Sequence, residues 1–222
     1  MPSGVVAADV GTDHAYLPVW LVATGKCPRV IATDSSRGAL AAAKRTVETY
    51  GLAGCVDLRL GDGLEVISPG ETGAIVVAGM GGLTICSILS AAMGTVVLQR
   101  RLVLQPMSEP EEVRRWAAGA GLPVADEDLV AEGGRFYEVI CLDPPGERDG
   151  SAGGTGDGLE YEIGAALLRK RHPLLAAYVE LKISECEGVI RKMEEGVADR
   201  GDPRLNRWIE RKRRLEEVLR CL

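Results

Sequence analysis

Short apolar runs alternate with stretches of helical length from Val5 to Asp143, and few folds accommodate that alternation. Parallel strands buried on both faces read as continuous apolar runs, and the helix after each is the crossover that a parallel neighbour requires. The runs occupy residues 5–10, 30–33, 56–60, 74–78, 101–104, 124–129 and 136–142. Residues 36–50 predict a helix that Ser35 or Ser36 caps, alanines fill and Gly51 ends. Residues 109–120 predict another, with Pro110 suited to its first turn. Only Glu132-Gly133-Gly134-Arg135 separates the last two runs, too little for a helix, so these strands form a hairpin. The expected fold is a doubly wound α/β sheet of five parallel strands finishing in an antiparallel pair. Ligands of such sheets sit beyond the carboxyl ends of the strands, near the first crossover.

The pattern stops at residues 144–158 (PPGERDGSAGGTGDG), which read as a linker between a sheet domain, residues 1–143, and a helical segment, residues 159–222. In that segment Ile183, Cys186, Ile190, Met193 and Val197 step by three and four. Leu205, Trp208, Lys212, Leu215, Leu219 and Leu222 repeat the spacing with Lys212 as the interruption. Two such helices joined through residues 199–203 predict an antiparallel, coiled-coil-like hairpin. Charge divides the chain similarly: residues 1–159 carry 12 basic and 20 acidic side chains, and residues 160–222 carry 14 and 12.

Residues 74–99 contain no charge and are long enough to cross a bilayer, but Gly79-Met80-Gly81-Gly82 followed by Thr84, Ser87 and Ser90 interrupts them. A buried strand, a glycine turn and a buried helix is the better reading. Six widely spaced cysteines without a C-x-x-C pair, and only two histidines, argue against a disulfide framework or a metal centre and fit a reducing cytoplasm. The first residues lack the basic flank and apolar length of a signal peptide. A cytoplasmic protein, most simply a monomer, is expected.

Chemistry concentrates where the first four strands end. Asp9-Val10-Gly11-Thr12-Asp13-His14 closes the first run: a glycine turn ahead of a helix, as in dinucleotide sites, but without the second and third glycines of G-x-G-x-x-G. Two carboxylates stand where a pyrophosphate would lie, which argues against NAD or FAD. The same geometry suits S-adenosylmethionine, which has no phosphate and carries two cationic centres that Asp9 and Asp13 can attract. Asp34 ends the second run, 23 residues after Gly11, where a carboxylate accepts ribose hydroxyls. Asp62-Gly63 after the third run is placed to reach an adenine amino group. Gly79-Met80-Gly81 after the fourth allows close backbone approach, with Met80 a flat apolar contact for a base.

Asp9-Val-Gly-Thr-Asp-His-Ala-Tyr-Leu-Pro18, Ala78-Gly-Met-Gly-Gly82, Leu104-Gln-Pro106, Phe136-Tyr-Glu138 and Gly164-Ala-Ala-Leu-Leu168 occur in the order of one family. Along essentially its whole length the chain resembles the bacterial tRNA (adenine-N1)-methyltransferases that modify adenine 22. The resemblance implies a Rossmann-like class I methyltransferase fold that uses S-adenosylmethionine to methylate N1 of an adenine in the D-arm of tRNA. It places Asp9, Gly11, Asp13, His14, Asp34, Asp62, Gly63, Gly79, Met80 and Gly81 in the cofactor pocket. Asp13 is then the candidate for stabilising the cationic product, His14 or Tyr16 for holding the base edge, and Met80 for contacting the base. Arg169, Lys170, Arg171, Arg211 and Arg214 are candidate contacts to tRNA phosphates. Members of that family usually carry a helix ahead of the first strand, and this chain departs from that pattern in starting almost at the strand. Two rival readings use the same fold, a non-catalytic RNA-binding scaffold and a nicotinamide-dependent oxidoreductase.

Overall fold

A computed structural model describes residues 1–144, 158–195 and 202–222. Five strands run parallel: β1 (Ala7–Val10), β2 (Val30–Asp34), β3 (Val56–Leu60), β4 (Ala74–Gly81) and β5 (Arg101–Ser108). The hairpin strands β6 (Val124–Glu132) and β7 (Arg135–Leu142) complete a seven-stranded sheet of order β3-β2-β1-β4-β5-β7-β6. Only β7 is reversed, lying antiparallel to both β5 and β6. The expected five parallel strands and closing pair are therefore present, with the last strand inserted beside β5. The first run is shorter than expected, since Val5 and Val6 precede β1, and β4 is longer, running through Gly79 and Gly81 where a turn was expected. A bulge between Ala78 and Met80 lets the strand continue.

Helices α1 (Tyr16–Ala23), α2 (Arg37–Thr49), α3 (Gly82–Ala91), α4 (Met93–Val96) and α5 (Pro110–Gly119) make the crossovers. The cap on α2 is the expected one: the Ser36 hydroxyl accepts the Ala39 N–H at 3.3 Å. Side-chain alternation divides the core. Ala8, Val10, Ile31, Ile75, Val77, Leu102, Leu104, Ile140 and Leu142 face the main cluster with Ile85 and Leu89 of α3. Ala7 and Val30 pack on Leu21 of α1, and Ala32 on Ala43 and Val47 of α2.

The C-terminal part contains α6 (Leu159–Ile163), α7 (Ala165–Arg169), α8 (Leu175–Glu195) and α9 (Pro203–Cys221). Cys186, Leu205 and Leu215 are buried, with Ile183, Trp208 and Leu219 packed around this second cluster. Lys212, the break in the pattern, pairs with Glu187 of α8 at 2.8 Å. Val197, residues 199–201 of the connection and most of the expected linker lie outside the described residues. Among the described residues no helix is long and apolar enough to cross a membrane; residues 74–99 form β4, α3 and α4 instead.

A buried ion network joins these helices to the sheet. Arg114 of α5, only 3% exposed, donates to Glu127 of β6 at 2.5 Å, to Glu138 of β7 at 2.6 Å and to the Tyr161 carbonyl of α6 at 2.8 Å. Glu127 also accepts the Ala166 N–H of α7 at 2.9 Å, and the Tyr178 hydroxyl of α8 donates to Glu138. Burial opposes the guanidinium charge, but the two carboxylates more than offset it and Arg114 stays protonated. Burial and the adjacent Glu138 charge push the Tyr178 phenol up, so it remains a donor. Arg114→Leu strands two buried carboxylates without their cation and should cost about 3–5 kcal/mol, read as a lower urea midpoint. Adding Glu127→Gln and Glu138→Gln should recover part of that loss.

Candidate functional site

Strand ends are drawn together by backbone bonds at the carboxyl edge of the sheet. The Gly11 and Thr12 N–H groups both donate to the Thr33 carbonyl at 2.9 Å, which fastens the loop after β1 onto the end of β2. Gly11 has φ +74°, and the Met80 methyl lies against the place where a Cβ would stand, so any side chain at position 11 would displace Met80. The Gly61 N–H bonds the Asp34 carbonyl at 3.1 Å, and the Thr33 hydroxyl donates to the Gly63 carbonyl at 3.1 Å, which brings in the end of β3.

Asp34 organises this edge. One carboxylate oxygen accepts the Asp13 N–H at 3.1 Å and the other the Ser36 N–H at 2.8 Å. These bonds hold a loop in which Asp13 and Ala15 take left-handed φ values of +49° and +57°. Such conformations are rare outside glycine and persist where surroundings over-determine them. They lead into α1, aiming the exposed Asp13, His14 and Tyr16 outward. The His14 and Tyr16 rings stack at 5.6 Å between centroids, and His14 Nε2 lies 3.8 Å from Asp13 Oδ1.

Beneath the loop Asp9 is 5% exposed. Burial raises its carboxyl to about 6, while the neighbouring Thr12 hydroxyl pulls it back and Asp34 pushes it up. That hydroxyl favours the carboxylate without aligning for a hydrogen bond: among the described residues Thr12 Oγ1 is the buried side-chain oxygen without a hydrogen-bond partner. Across the crevice Gly79 has φ +77°, and nothing lies within 4 Å of where its Cβ would be. Asp62 is exposed at the third strand end, and Gly81 adjoins Ser108 at the end of β5.

The structure thus assembles at one edge every residue expected there from strands one to four: Asp9, Gly11, Asp13, His14, Tyr16, Asp34, Asp62, Gly63, Gly79, Met80 and Gly81. Two polar residues of this edge, Thr12 and Gln105, stand within the quoted motifs but received no role from the sequence. A hydroxyl next to the turn glycine and an amide between buried Leu104 and Pro106 were the available signals.

The basic residues lie elsewhere, on the C-terminal helices. Lys170 pairs with Asp126 at 3.1 Å, and Arg171 donates to the Leu222 carbonyl at 3.2 Å. Arg211 bonds Glu162 at 2.7 Å and sits 4.8 Å from the Trp208 ring, so much of its charge is satisfied internally. Arg169 is exposed at the end of α7. Arg214 lines a groove of about 530 Å³ with Arg115, Arg207, Arg211 and Asn206, alongside Glu162 and Glu210. Among the described residues no group of three or more His, Cys, Asp or Glu side chains could hold a metal ion.

An acidic parallel sheet edge that carries four carboxylates and lacks a glycine cradle for phosphate defines a class I methyltransferase domain. The family described as "Methyltransferase domain" matches residues 1–140. The tRNA (adenine(22)-N(1))-methyltransferase of Bacillus subtilis is 32% identical over 220 residues, 99% of this chain and 92% of that enzyme. The crystal structure of the B. subtilis m1A22 tRNA methyltransferase TrmK superposes with a TM-score of 0.85, covering 98% of this chain and 93% of that one. A Streptococcus pneumoniae protein crystallised in complex with S-adenosyl-L-methionine is 26% identical, with a TM-score of 0.82 over 98% of this chain and 93% of that chain. The chain belongs to the tRNA (adenine(22)-N(1))-methyltransferase family.

Asp9 carries a test of the site's electrostatics. An unfolded aspartate titrates near 3.8 and the native one near 6. Between these values the folded chain holds a proton that the unfolded chain has lost, so native stability falls as pH rises through this window and then levels. The raised value corresponds to about 3 kcal/mol above pH 6. Asp9→Asn should gain on the wild type in urea midpoint as pH increases from 4 to 6, with the difference constant from 6 to 8. A difference independent of pH would show that Asp9 is not the buried titrating group.

Proposed function

We propose that this chain transfers the methyl group of S-adenosylmethionine to N1 of adenine 22 in the D-arm of tRNA, in the cytoplasm. The likeness to the B. subtilis enzyme carries this reading, because it spans 99% of this chain and so includes both the sheet edge and the C-terminal helices. Residues 1–143 hold the cofactor and the reacting base; residues 159–222 grip the RNA.

The side chains present fit the cofactor. Its electrophilic methyl is carried on a sulfonium, and it has no phosphate to be repelled by the turn carboxylates. Asp9 and Asp13 supply negative charge for its cationic centres, and the unpartnered Thr12 hydroxyl supplies a further polar contact. Asp34 keeps lone pairs for ribose hydroxyls after its two backbone bonds, and Asp62 accepts from an adenine amino group. Gly11, Gly63, Gly79 and Gly81 leave the backbone open to close approach. Ionised Asp9 is the form that attracts a cation.

Adenine N1 has an in-plane lone pair, so no base must first remove a proton. The protein's task is to align the nitrogen with the methyl, a matter of orientation. N1 lies on the pairing edge, so the adenine must leave its stack, at a cost of a few kcal/mol. The His14–Tyr16 stack at the mouth and Met80 across the crevice offer flat surfaces to receive it. The base becomes cationic on methylation, and Asp13 is the carboxylate placed at the loop to stabilise that charge.

Phosphate contacts offset the cost of extrusion, and the arginine-lined groove beside α5 and α9 supplies them. Arg207 and Arg214 line this groove and exposed Arg169 lies at the end of α7, whereas Arg211 is engaged with Glu162. Lys170 and Arg171 also have partners within the protein, so their contribution to RNA is smaller.

Labelled methyl from S-adenosylmethionine should appear on unmodified bacterial tRNA, with a reverse-transcription stop at position 22. A stop elsewhere would change the assigned base, and cofactor binding without label would favour a scaffold. Arg207→Glu with Arg214→Glu should weaken tRNA binding about tenfold or more, flatten its salt dependence and leave cofactor affinity unchanged. Equal tRNA affinity would remove the groove from the RNA footprint.

A further inference from the structure

We propose that Gln105 is a positioning residue for methyl transfer, holding the Gly79–Met80 bulge in the shape that receives the target base. The proposal rests on the methyl-transfer reading and extends it to a residue outside the cofactor-binding set.

The β4–β5 ladder is regular from Ala74↔Arg101 to Ala78↔Gln105 and then slips, so that Met80 rather than Gly79 faces Pro106. Pro106 has no N–H to continue the ladder, and the extra residue in β4 turns its own N–H out of register. Gln105 Oε1 accepts that Gly79 N–H at 3.0 Å. The other end of the amide is fixed as well: Nε2 donates to the Pro106 carbonyl at 3.0 Å and lies 3.6 Å from Met107 Sδ. These contacts define which end of the carboxamide faces Gly79. Gln105 lies on the partly exposed face of β5, opposite buried Leu104 and Pro106, and both ends of its amide are used.

What the amide secures is a chain of contacts across the site. Gly79, at φ +77°, opens onto empty space within 4 Å, the approach left for a planar ring. The next residue, Met80, lays its methyl on Gly11 of the loop after β1. Gln105 therefore sets, from β5, the backbone of β4 and the contact that β4 makes with β1. Misplacement by about 1 Å at a reacting centre can cost about a hundredfold in rate.

Gln105→Met keeps the volume and removes the acceptor, whereas Gln105→Glu keeps an acceptor oxygen. Gln105→Met should lower kcat on tRNA about tenfold or more, with cofactor Kd and thermal midpoint close to wild type. Gln105→Glu, which keeps the acceptor for Gly79 but sets its second oxygen against the Pro106 carbonyl, should retain more kcat than Gln105→Met, and the Gly79 amide should exchange faster with solvent in Gln105→Met than in the wild type. Unchanged kcat in Gln105→Met, an equal loss in Gln105→Glu, or a loss matched by falling cofactor affinity and midpoint would each overturn the proposal. If Gln105→Met does not fold, Gln105→Asn, one methylene too short to reach Gly79, is judged by the same criteria. Wild-type turnover with an active Gln105→Met removes this inference alone, whereas a wild type that never methylates tRNA removes the functional reading and this inference together.

Discussion

Arg114 is the point at which two kinds of structure become one. Its guanidinium reaches both hairpin strands and the backbone of α6, while the carboxylates it neutralises bind the N-terminal turn of α7 and the hydroxyl of α8. Positions 136, 138, 140 and 142 of β7 share one face; the last two fill the main core, and the first two extend beneath the C-terminal helices. A continuous strand face thus supplies both clusters. A buried charge requires its partners in defined geometry, which apolar packing alone does not, so the network gives the helices a definite seat on the sheet.

The chemistry lies at the opposite end of the same logic. Backbone bonds, with the Thr33 hydroxyl and the Asp34 carboxylate, gather the ends of β1, β2 and β3, while Asp13 and Asp62 stay exposed at the edge. Asp34 braces the loop after β1, one carboxylate oxygen holding the Asp13 N–H and the other the Ser36 N–H. The left-handed Asp13 and Ala15 are held by the bonds to Asp34 and by the turn into α1, a conformation that helix formation alone would not demand. The negative charge of the loop excludes a pyrophosphate and suits a cationic nucleoside.

Much of this was legible in the chain. The strand sequence, the hairpin, the cap on α2 and the spacing of the last two helices follow from periodicity and turn residues. Acidic residues at successive strand ends followed from the same reading, because the end of each apolar run marks its position at the edge. The exact course of β4 did not. Gly79 and Gly81 read as a turn, yet a bulge and the Gln105 amide keep the strand going, and no local pattern reports an acceptor 26 residues away. Nor does any local pattern report that Arg211, a candidate phosphate contact in the sequence, bonds Glu162, 49 residues distant.

The sequence by itself determined the alternation of strands and helices, the glycines at the turns and the acidic character of the crevice, all of which depend on neighbours a few residues apart. Tertiary structure alone decided which polar side chains are used inside the molecule. Arg114, Glu127 and Glu138 become a buried network, Arg211 a partner of Glu162, and Gln105 a brace for Gly79. The physical reason is that a charge or amide is stable in the interior only beside its complement, and folding, not sequence proximity, brings the complement to it.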